Sequence, residues 1–360
     1  LDIDPIEFRL INSAAEGTRR ADGPIHPEIG CVEVLEAMKN HPHYNTPIKG
    51  PNRGRGIAVG YWFNAGLESS AAISVNRNGT VNLVEGSTDI GGSRTSLSMQ
   101  AAEVLGIAAE DINPSVGDTD SIGYTAVTGG SRVTFATGLA TYRAAQDVKR
   151  QAIERASMIW DVDSSSLSMD NGIIRSTNQT ELSMSFKEMA SQMNDTGGPI
   201  MGRGSFDGKG EGGSFAGNLV DIEIDPETGK TTILRFTVFQ DAGKAIHPSY
   251  VEGQMQGGSA QGIGWGLNEE YFMDSSGKMT NSTFLDYRIP TSLDLPLIDT
   301  VIVEVPNPNH PLGVRGVGEA NIAPPPAALA DAIYNAVGIR LRDLPMNPIA
   351  IMNATWENGK

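Results

Sequence analysis

Leu219-Val-Asp-Ile-Glu-Ile224 is followed by Asp225-Pro-Glu-Thr-Gly229 and by a second apolar run from Thr231 to Gln240. Alternation of apolar and polar side chains is typical of a half-buried strand, and a turn cluster between two such runs is typical of a hairpin. The stretch therefore predicts two antiparallel strands. Asp241-Ala-Gly243 comes next, and a glycine-rich helix is predicted to begin near Tyr250.

The same order of elements occurs earlier in the chain. Ala71 to Val75 alternates as a strand, Asn76-Arg-Asn-Gly79 forms a turn, and Thr80 to Glu85 runs back. A glycine-bearing loop from Gly86 to Ser93 then leads into a helix predicted from Arg94 to Leu105. The repeat predicts an α+β fold with two lobes of duplicated strand-hairpin-helix units.

The chain divides into four predicted regions. Residues 1–52 are interpreted as a helical leader and linker, and residues 53–160 as the first α+β lobe, which ends in a long helix from Gly138 to Trp160. Residues 161–216 are rich in Ser, Asn and Gly, which predicts an insertion or connection with weak structure. Residues 217–360 form the second predicted lobe, with Trp265 expected in its core and a last helix from Pro326 to Val337.

Composition excludes several classes of protein. The 360 residues carry a net charge of -16, which argues against nucleic-acid binding because phosphate neutralisation needs clustered Lys and Arg. Cys31 is the only cysteine, so this chain alone cannot hold an iron–sulfur cluster or an internal disulfide. No apolar run approaches the ~18 residues of a membrane span. A cytoplasmic protein without a membrane segment is expected.

The segment Gly313-Val-Arg-Gly-Val-Gly-Glu319 places one carboxylate after a glycine-rich stretch and just before Pro324-Pro-Pro326. Glycines allow another molecule to approach the backbone closely. Glu319 is therefore a candidate general base. The alternative is a surface glutamate that only precedes a helix.

Four segments combine glycines or hydroxyls with a predicted helix start, which offers unpaired N–H groups to phosphate or pyrophosphate. They are Gly86 to Thr95, Val127 to Arg132, Val251 to Gly262 and Gly313 to Glu319. None matches the dinucleotide-binding or P-loop spacing. For Gly257, Gly258 and Gly262, tight helix packing is the alternative explanation.

Several motifs occur together in one order: Thr128-Gly-Gly-Ser-Arg132, Val238 to Pro248, Val251-Glu-Gly-Gln254, Asp286-Tyr-Arg-Ile-Pro-Thr291 and Gly316-Val-Gly-Glu319. This set resembles the xanthine dehydrogenase and aldehyde oxidase family of molybdenum hydroxylases. The chain is similar to the C-terminal half of their molybdopterin-binding catalytic subunit, as in the medium molybdopterin subunit of nicotinate dehydrogenase. The resemblance implies the molybdenum cofactor-binding domain type of fold.

The resemblance also implies an activity: an electron-poor C–H carbon of an aromatic N-heterocycle, nicotinate- or purine-like, is hydroxylated with water, and Glu319 is the general base. An aldehyde-oxidising member of the family is one alternative. A non-catalytic structural subunit that has lost its cofactor is another, and the sequence Gly91-Gly92-Ser93, where the family often has Gly-Gln-Gly, supports it.

Residue roles follow from the same resemblance. Molybdenum takes no side-chain ligand, and the cofactor is the molybdopterin cytosine dinucleotide, shared with the partner half. Arg315 and Phe135 are weaker substrate-contact candidates, since an ion pair or core packing would also explain them. The implied cofactor-binding residues are Gly91, Gly92, Ser93, Thr128, Gly129, Gly130, Ser131, Gln254, Gln261 and Gly318.

The implied assembly contains further chains. A second molybdopterin-binding subunit would supply the N-terminal half. Because Cys31 is the only cysteine, the [2Fe-2S] centres are expected on an iron–sulfur subunit, and FAD on a third partner.

Overall fold

The computed structural model describes residues 1–357, apart from the side chain of Thr119. Its helices are α1 (Pro5–Ile11), α2 (Cys31–Asn40), α3 (Pro42–Asn45), α4 (Ser93–Leu105), α5 (Thr119–Ile122), α6 (Gly138–Trp160), α7 (Phe186–Ser191), α8 (Pro248–Leu267), α9 (Pro325–Val337) and α10 (Pro348–Glu357). Its strands are β1 (Arg53–Trp62), β2 (Ser69–Val75), β3 (Val81–Glu85), β4 (Ile112–Val116), β5 (Leu167–Asp170), β6 (Ile173–Ser176), β7 (Ser183–Ser185), β8 (Met201–Phe206), β9 (Ser214–Ile224), β10 (Thr231–Asp241) and β11 (Ile298–Val303).

The chain forms two compact units that are not continuous in sequence. The first unit contains Leu1–Phe63, Gly212–Pro308 and the chain from Val317 onward. The second unit contains Asn64–Glu211 and Asn309–Gly316. The boundary between Gly316 and Val317 therefore falls inside the glycine-rich segment that ends at Glu319.

The first unit is built on a sheet with strand order β1-β9-β10-β11. The hairpin predicted from Leu219 to Gln240 is confirmed, since β9 and β10 pair antiparallel. Strand β1 adds antiparallel to β9, and β11 adds parallel to β10. Helices α8 and α9 pack together, and α9 covers β1 and β9. Apolar residues of this sheet and these helices, among them Phe236 and Leu329, form one buried cluster.

The second unit repeats this plan with strand order β4-β3-β2-β8. The earlier hairpin is confirmed, because β2 pairs antiparallel with β3 from Ala71 to Glu85. Strand β4 lies parallel to β3, and β8 lies antiparallel to β2. Helix α6, whose bounds match those predicted, packs on β8 and β2. The α+β fold of duplicated units is therefore confirmed.

Both units use the same close contact between an outer strand and a helix. In β1, a Cβ built on Gly56 would lie 1.7 Å from the carbonyl oxygen of Ala328 in α9. In β8, a Cβ built on Gly204 would lie 2.0 Å from the carbonyl oxygen of Ala140 in α6. The backbones of strand and helix therefore approach to a distance that only glycine permits.

Each hairpin ends in a buried carboxylate at the same place in its sheet. Asp241 is opposite Val303, the last pair of the β10–β11 ladder, and Glu85 is opposite Val116, the last pair of the β3–β4 ladder. Both side chains are inaccessible to solvent. Asp241 receives backbone N–H groups at both oxygens: Gly30 at 3.1 Å to Oδ2, and Gly243 at 2.9 Å and Val305 at 3.1 Å to Oδ1.

Two expectations from the sequence are wrong. The region predicted as weakly structured contains the three-stranded sheet β5-β6-β7, helix α7 and strand β8. Short strands there bury Met169, Ile174 and Met184, although polar residues dominate the composition of residues 161–216. Trp265 is half-exposed rather than in the core, because α8 turns glycines such as Gly262 and Gly266 towards α9.

Candidate cofactor-binding and catalytic site

Glu319 lies in the first unit at the start of a 3₁₀ turn, Ala320–Ile322, that leads into α9. Its side chain is half-buried. The backbone just before it is held by side chains: the carbonyl oxygen of Val317 accepts hydrogen bonds from Gln240 Nε2 at 3.1 Å and Asn321 Nδ2 at 3.4 Å. The position of Glu319 is thus fixed from inside the unit.

The two amide side chains also bind each other, and sequence reasoning assigned them no role. Asn321 Nδ2 donates to Gln240 Oε1, and Gln240 Nε2 also donates to Ser214 Oγ at 2.9 Å. Both amides are completely buried. Because a buried amide usually forms hydrogen bonds with nearby groups, Gln240 and Asn321 could have indicated a fixed backbone in their neighbourhood.

Helix α8 brings two of the predicted cofactor-binding residues together. A Cβ built on Gly318 would lie 3.1 Å from Gln254 Oε1, so Gly318 leaves room for that amide. Gln261 lies two turns further along α8 on the same face and is exposed. Gln254 itself is half-buried. The first unit therefore gathers Glu319, Gly318 and Gln254 in one region.

In the second unit, the loop Thr128–Ser131 lies against the first part of the Gly313–Glu319 segment. A Cβ built on Gly316 would lie 2.2 Å from the carbonyl oxygen of Ser131. Gly130 and Ser131 have φ values of 72° and 50°, in the left-handed region that a serine rarely adopts. Such strain at a non-glycine residue is often found at binding sites.

Arg132, which directly follows this loop, anchors it through hydrogen bonds. Its guanidinium is buried and donates to the carbonyl oxygens of Leu67 at 3.2 Å, Glu68 at 2.7 Å and Ala126 at 3.1 Å. Nη2 also donates to Ser69 Oγ. Ala126 precedes the loop, Arg132 follows it, and Leu67 and Glu68 belong to a neighbouring segment. The hydrogen bonds of Arg132 therefore hold both ends of the loop.

Gly91, Gly92 and Ser93 lie where the sequence predicted, at the start of α4. Gly91 and Gly92 have positive φ values of 63° and 77°. In the first turn of the helix, the N–H of Arg94 donates to Asp89 Oδ1 at 3.0 Å. Thr88 Oγ1 lies 3.1 Å from Thr128 Oγ1, so this loop contacts the Thr128–Ser131 loop.

The two weaker substrate candidates are both buried in the second unit. Phe135 packs against Phe206, with ring centroids 5.8 Å apart, and against His310 at 5.5 Å. Burial lowers the pKa of His310 to about 4, so this ring is neutral at pH 7. Arg315 is almost completely buried as well.

Within residues 1–357, no group of three or more His, Cys, Asp or Glu side chains is arranged to hold a metal ion. In the same part of the chain, no helix has both the length and the apolar character needed to cross a membrane.

Comparison with known proteins identifies the family. The sequence profile of the molybdopterin cofactor-binding domain matches residues 34–296, and the chain therefore belongs to this family. It is 31% identical over 370 residues to the putative xanthine dehydrogenase molybdenum-binding subunit of Escherichia coli strain K12, with 97% of this chain and 49% of that protein covered. It is 30% identical to subunit gamma of the 6-hydroxypseudooxynicotine dehydrogenase complex of Paenarthrobacter nicotinovorans, with coverage of 92% and 44%.

Solved structures show the same fold. Quinoline 2-oxidoreductase from Pseudomonas putida 86 superposes with a TM-score of 0.85 at 24% identity, over 99% of this chain and 50% of that one. The chain spans about half the length of the relatives it matches.

Proposed function

We propose that this chain is the molybdopterin-binding part of a molybdenum hydroxylase that hydroxylates an aromatic N-heterocycle, with Glu319 as the general base. The observation that carries the proposal is the position of Glu319: a half-buried carboxylate whose preceding backbone is clamped by the buried Gln240–Asn321 pair. Such a clamp gives the carboxylate a defined direction, which general base catalysis requires.

The chain's residues fit the cofactor that defines the family. In the first unit, a Cβ built on Gly253 or Gly257 meets nothing within 4 Å, so the backbone there is open to a ligand. Gly253 and Gly257 lie one turn apart on α8, next to Gln254. Two buried atoms of this unit, Ser259 Oγ and Asn321 Oδ1, have no hydrogen-bond partner among the described residues. Open glycines and uncommitted polar atoms are what a dinucleotide-sized ligand needs.

When bound, the cofactor supplies the two-electron redox chemistry that amino-acid side chains lack. Overall, a C–H bond and one water become a C–OH group, and two protons and two electrons are released. Glu319 accepts a proton from the water whose oxygen enters the product. Catalysis of this kind contributes ~10²–10⁴-fold to the rate.

The cytosine dinucleotide form and the substrate class are part of the proposal. The left-handed backbone of Gly91 and Gly92 at the start of α4 supports a contact with the pyrophosphate, since helix starts favour anions. One relative is named for xanthine, which is an aromatic N-heterocycle. Acid treatment of the purified assembly should release CMP, and release of a different nucleotide would contradict the assignment.

Partner chains are proposed as well. The segment 284–297 in the first unit exposes four apolar side chains by 92–97%: Phe284, Leu285, Leu293 and Leu297. Exposed apolar side chains in this density usually mark a protein contact. The proposed partners are a second molybdopterin-binding chain, an iron–sulfur chain and an FAD chain, and mass spectrometry of the co-purifying polypeptides tests them.

The test of the catalytic proposal is Glu319→Gln in the purified assembly. We expect kcat to fall ~10²–10⁴-fold because the base is lost while the shape is kept. Molybdenum and pterin contents should not change. The matched control is Glu227→Gln, at an exposed position in the β9–β10 turn, which should leave turnover unaltered.

Unchanged turnover in Glu319→Gln would contradict the base role and favour a non-catalytic subunit. Substrates should be compared as N-heterocycles, such as nicotinate and purines, against aldehydes. Preferential turnover of aldehydes would replace the proposed substrate class with the alternative one.

A further inference from the structure

Glu85, at the end of β3, is a buried carboxyl group that the proposed mechanism does not use. Its Oε2 accepts the N–H of Ser87 at 2.5 Å, whereas its Oε1 is buried with no hydrogen-bond partner in the described part of the chain. Burial raises the pKa of Glu85 to about 7, and Asp89 contributes in the same direction. A carboxyl group left half-satisfied in the interior is costly, so its presence calls for an explanation.

A row of three buried hydroxyls, here termed the hydroxyl chain, starts beside Glu85. Ser87 Oγ lies 2.6 Å from Thr137 Oγ1, and Thr137 Oγ1 lies 3.0 Å from Ser69 Oγ. All three side chains are at most 1% exposed. At its far end, Ser69 Oγ accepts a hydrogen bond from Arg132 Nη2. The hydroxyl chain therefore connects the vicinity of Glu85 to the residue that anchors the Thr128–Ser131 loop.

The guanidinium of Arg132 gives the hydroxyl chain a direction. Arginine can only donate, so Ser69 Oγ must accept from it. The hydroxyl protons of Ser69 and Thr137 each need an acceptor. Both have one when Ser69 donates to Thr137 and Thr137 donates to Ser87. The Ser87 hydroxyl proton is left at the end nearest Glu85, and Ser87 is itself bound there by the hydrogen bond from its backbone N–H to Glu85 Oε2.

The first unit shows that a carboxylate at this position need not be left open. Asp241, at the matching end of its hairpin, is satisfied by three backbone N–H groups. In the second unit, Thr137 belongs to a short π-helix, Val133–Thr137, that precedes α6. π-Helices are rare, and those that do occur are often found at functional sites.

We propose that Glu85 is a positioning residue that acts through the hydroxyl chain and Arg132 to set the conformation of the Thr128–Ser131 loop. When Glu85 is ionised, its negative charge strengthens the hydrogen bond that its Oε2 accepts from the Ser87 backbone N–H, and Ser87 is held at the end of the hydroxyl chain. When it is protonated, this hydrogen bond loses its charge assistance, so that Ser87 and the loop are less firmly held. The role of that loop towards the cofactor rests on the proposed function, whereas the coupling itself does not.

Other charges face Glu85 and enter its titration. Asp89, on the loop after β3, disfavours its ionisation, and Arg94, on α4, favours it. Arg132 lies at the far end of the hydroxyl chain, and Glu68 lies beside Arg132. Variants that alter Asp89 or Arg94 are therefore unsuitable as controls.

The test uses amide hydrogen exchange of the full-length protein with its co-purifying chains, corrected for the pH dependence of intrinsic exchange. We expect Glu85→Gln and Thr137→Val each to accelerate exchange in residues 125–132 several-fold at pH 8. Their double variant should show no further increase, because both substitutions act on the loop through the same hydroxyl chain. At pH 6, where Glu85 is protonated, the effect of Glu85→Gln should shrink.

The control is Ser74→Ala. Ser74 lies on β2 like Ser69, but its hydroxyl is not part of the hydroxyl chain. This substitution should leave residues 125–132 unchanged. Acceleration confined to residues 85–88 in Glu85→Gln, or additive effects in the double variant, would overturn the proposal. If Thr137→Val does not fold, Ser69→Ala and the pH dependence of the unmodified protein give the same decision. None of these measurements needs turnover, so failure here is distinguishable from failure of the Glu319 proposal.

Discussion

Two carboxylates at matching positions of the two units have opposite surroundings. Asp241 ends β10 and is bound by three backbone N–H groups, while Glu85 ends β3 and is bound by one. The duplicated architecture therefore has an acidic residue at this position in two different surroundings. In the first unit the carboxylate holds three segments together, whereas in the second it is left able to titrate.

The close contact between an outer strand and a helix, which both units share, gives the most severe test of their equivalence. We expect Gly56→Ala and Gly204→Ala each to destabilise the protein by about 3 kcal/mol or more, because the new methyl group would lie 1.7 Å and 2.0 Å from a helix carbonyl oxygen. Denaturant unfolding measures this. Gly257→Ala is the control, since its methyl group would enter open space and a helix prefers alanine by ~1 kcal/mol. A neutral Gly204→Ala would show that the close contact is not required in the second unit.

The titration of Glu85 gives the next effect. Its pKa is about 7 in the folded protein, whereas an exposed glutamate has an ordinary pKa of 4.5, so the folded state binds the proton more tightly. The stabilisation from this proton is complete below pH 4.5 and is lost as the pH rises to 7. Glu85→Gln cannot titrate, and above pH 7 it should exceed the unmodified protein in stability by up to about 3 kcal/mol. Thermal unfolding from pH 4.5 to 8 measures the difference, and a constant offset would contradict it.

Asp241→Asn should act in the opposite direction and by a smaller amount. The amide would place an N–H donor against at least one of three backbone N–H groups, which leaves a buried donor unsatisfied. The expected loss is about 1–3 kcal/mol at all pH values near neutrality. Asp343→Asn, at an exposed position, serves as the control in the same unfolding experiment. If Asp241→Asn were also stabilising, the contrast between the two carboxylates would be lost.

Local patterns were sufficient for much of the fold. The two hairpins, the helix Gly138–Trp160 and the helix that ends before Gly338 are set by alternation, helical spacing and turn glycines within a few residues. The strands β1 and β8 were missed because their glycines, such as Gly56 and Gly204, weaken the strand pattern. Those glycines are explained only by a helix that is distant in the sequence.

The candidate site shows the same limit. Glu319 could be singled out because glycines precede it and a helix follows, and its role stays a proposal. Gln240 and Asn321, which hold the backbone before it, could not be paired from the sequence, since they are distant along the chain and meet only through tertiary structure. The hydroxyl chain was missed for the same reason: Ser69, Ser87 and Thr137 are common residue types in separate elements.

The pairing of β1 with β9 has a consequence for biosynthesis. Arg53 is opposite Glu223, and almost the whole second unit, from Asn64 to Glu211, is translated between these strands. A nascent polypeptide must therefore keep β1 without its partner until the ribosome has released β9. Since contacts between distant residues form slowly, the inserted unit can complete its own sheet first. A stalled or truncated translation product that ends before residue 214 would present β1 as an open edge, ready to aggregate.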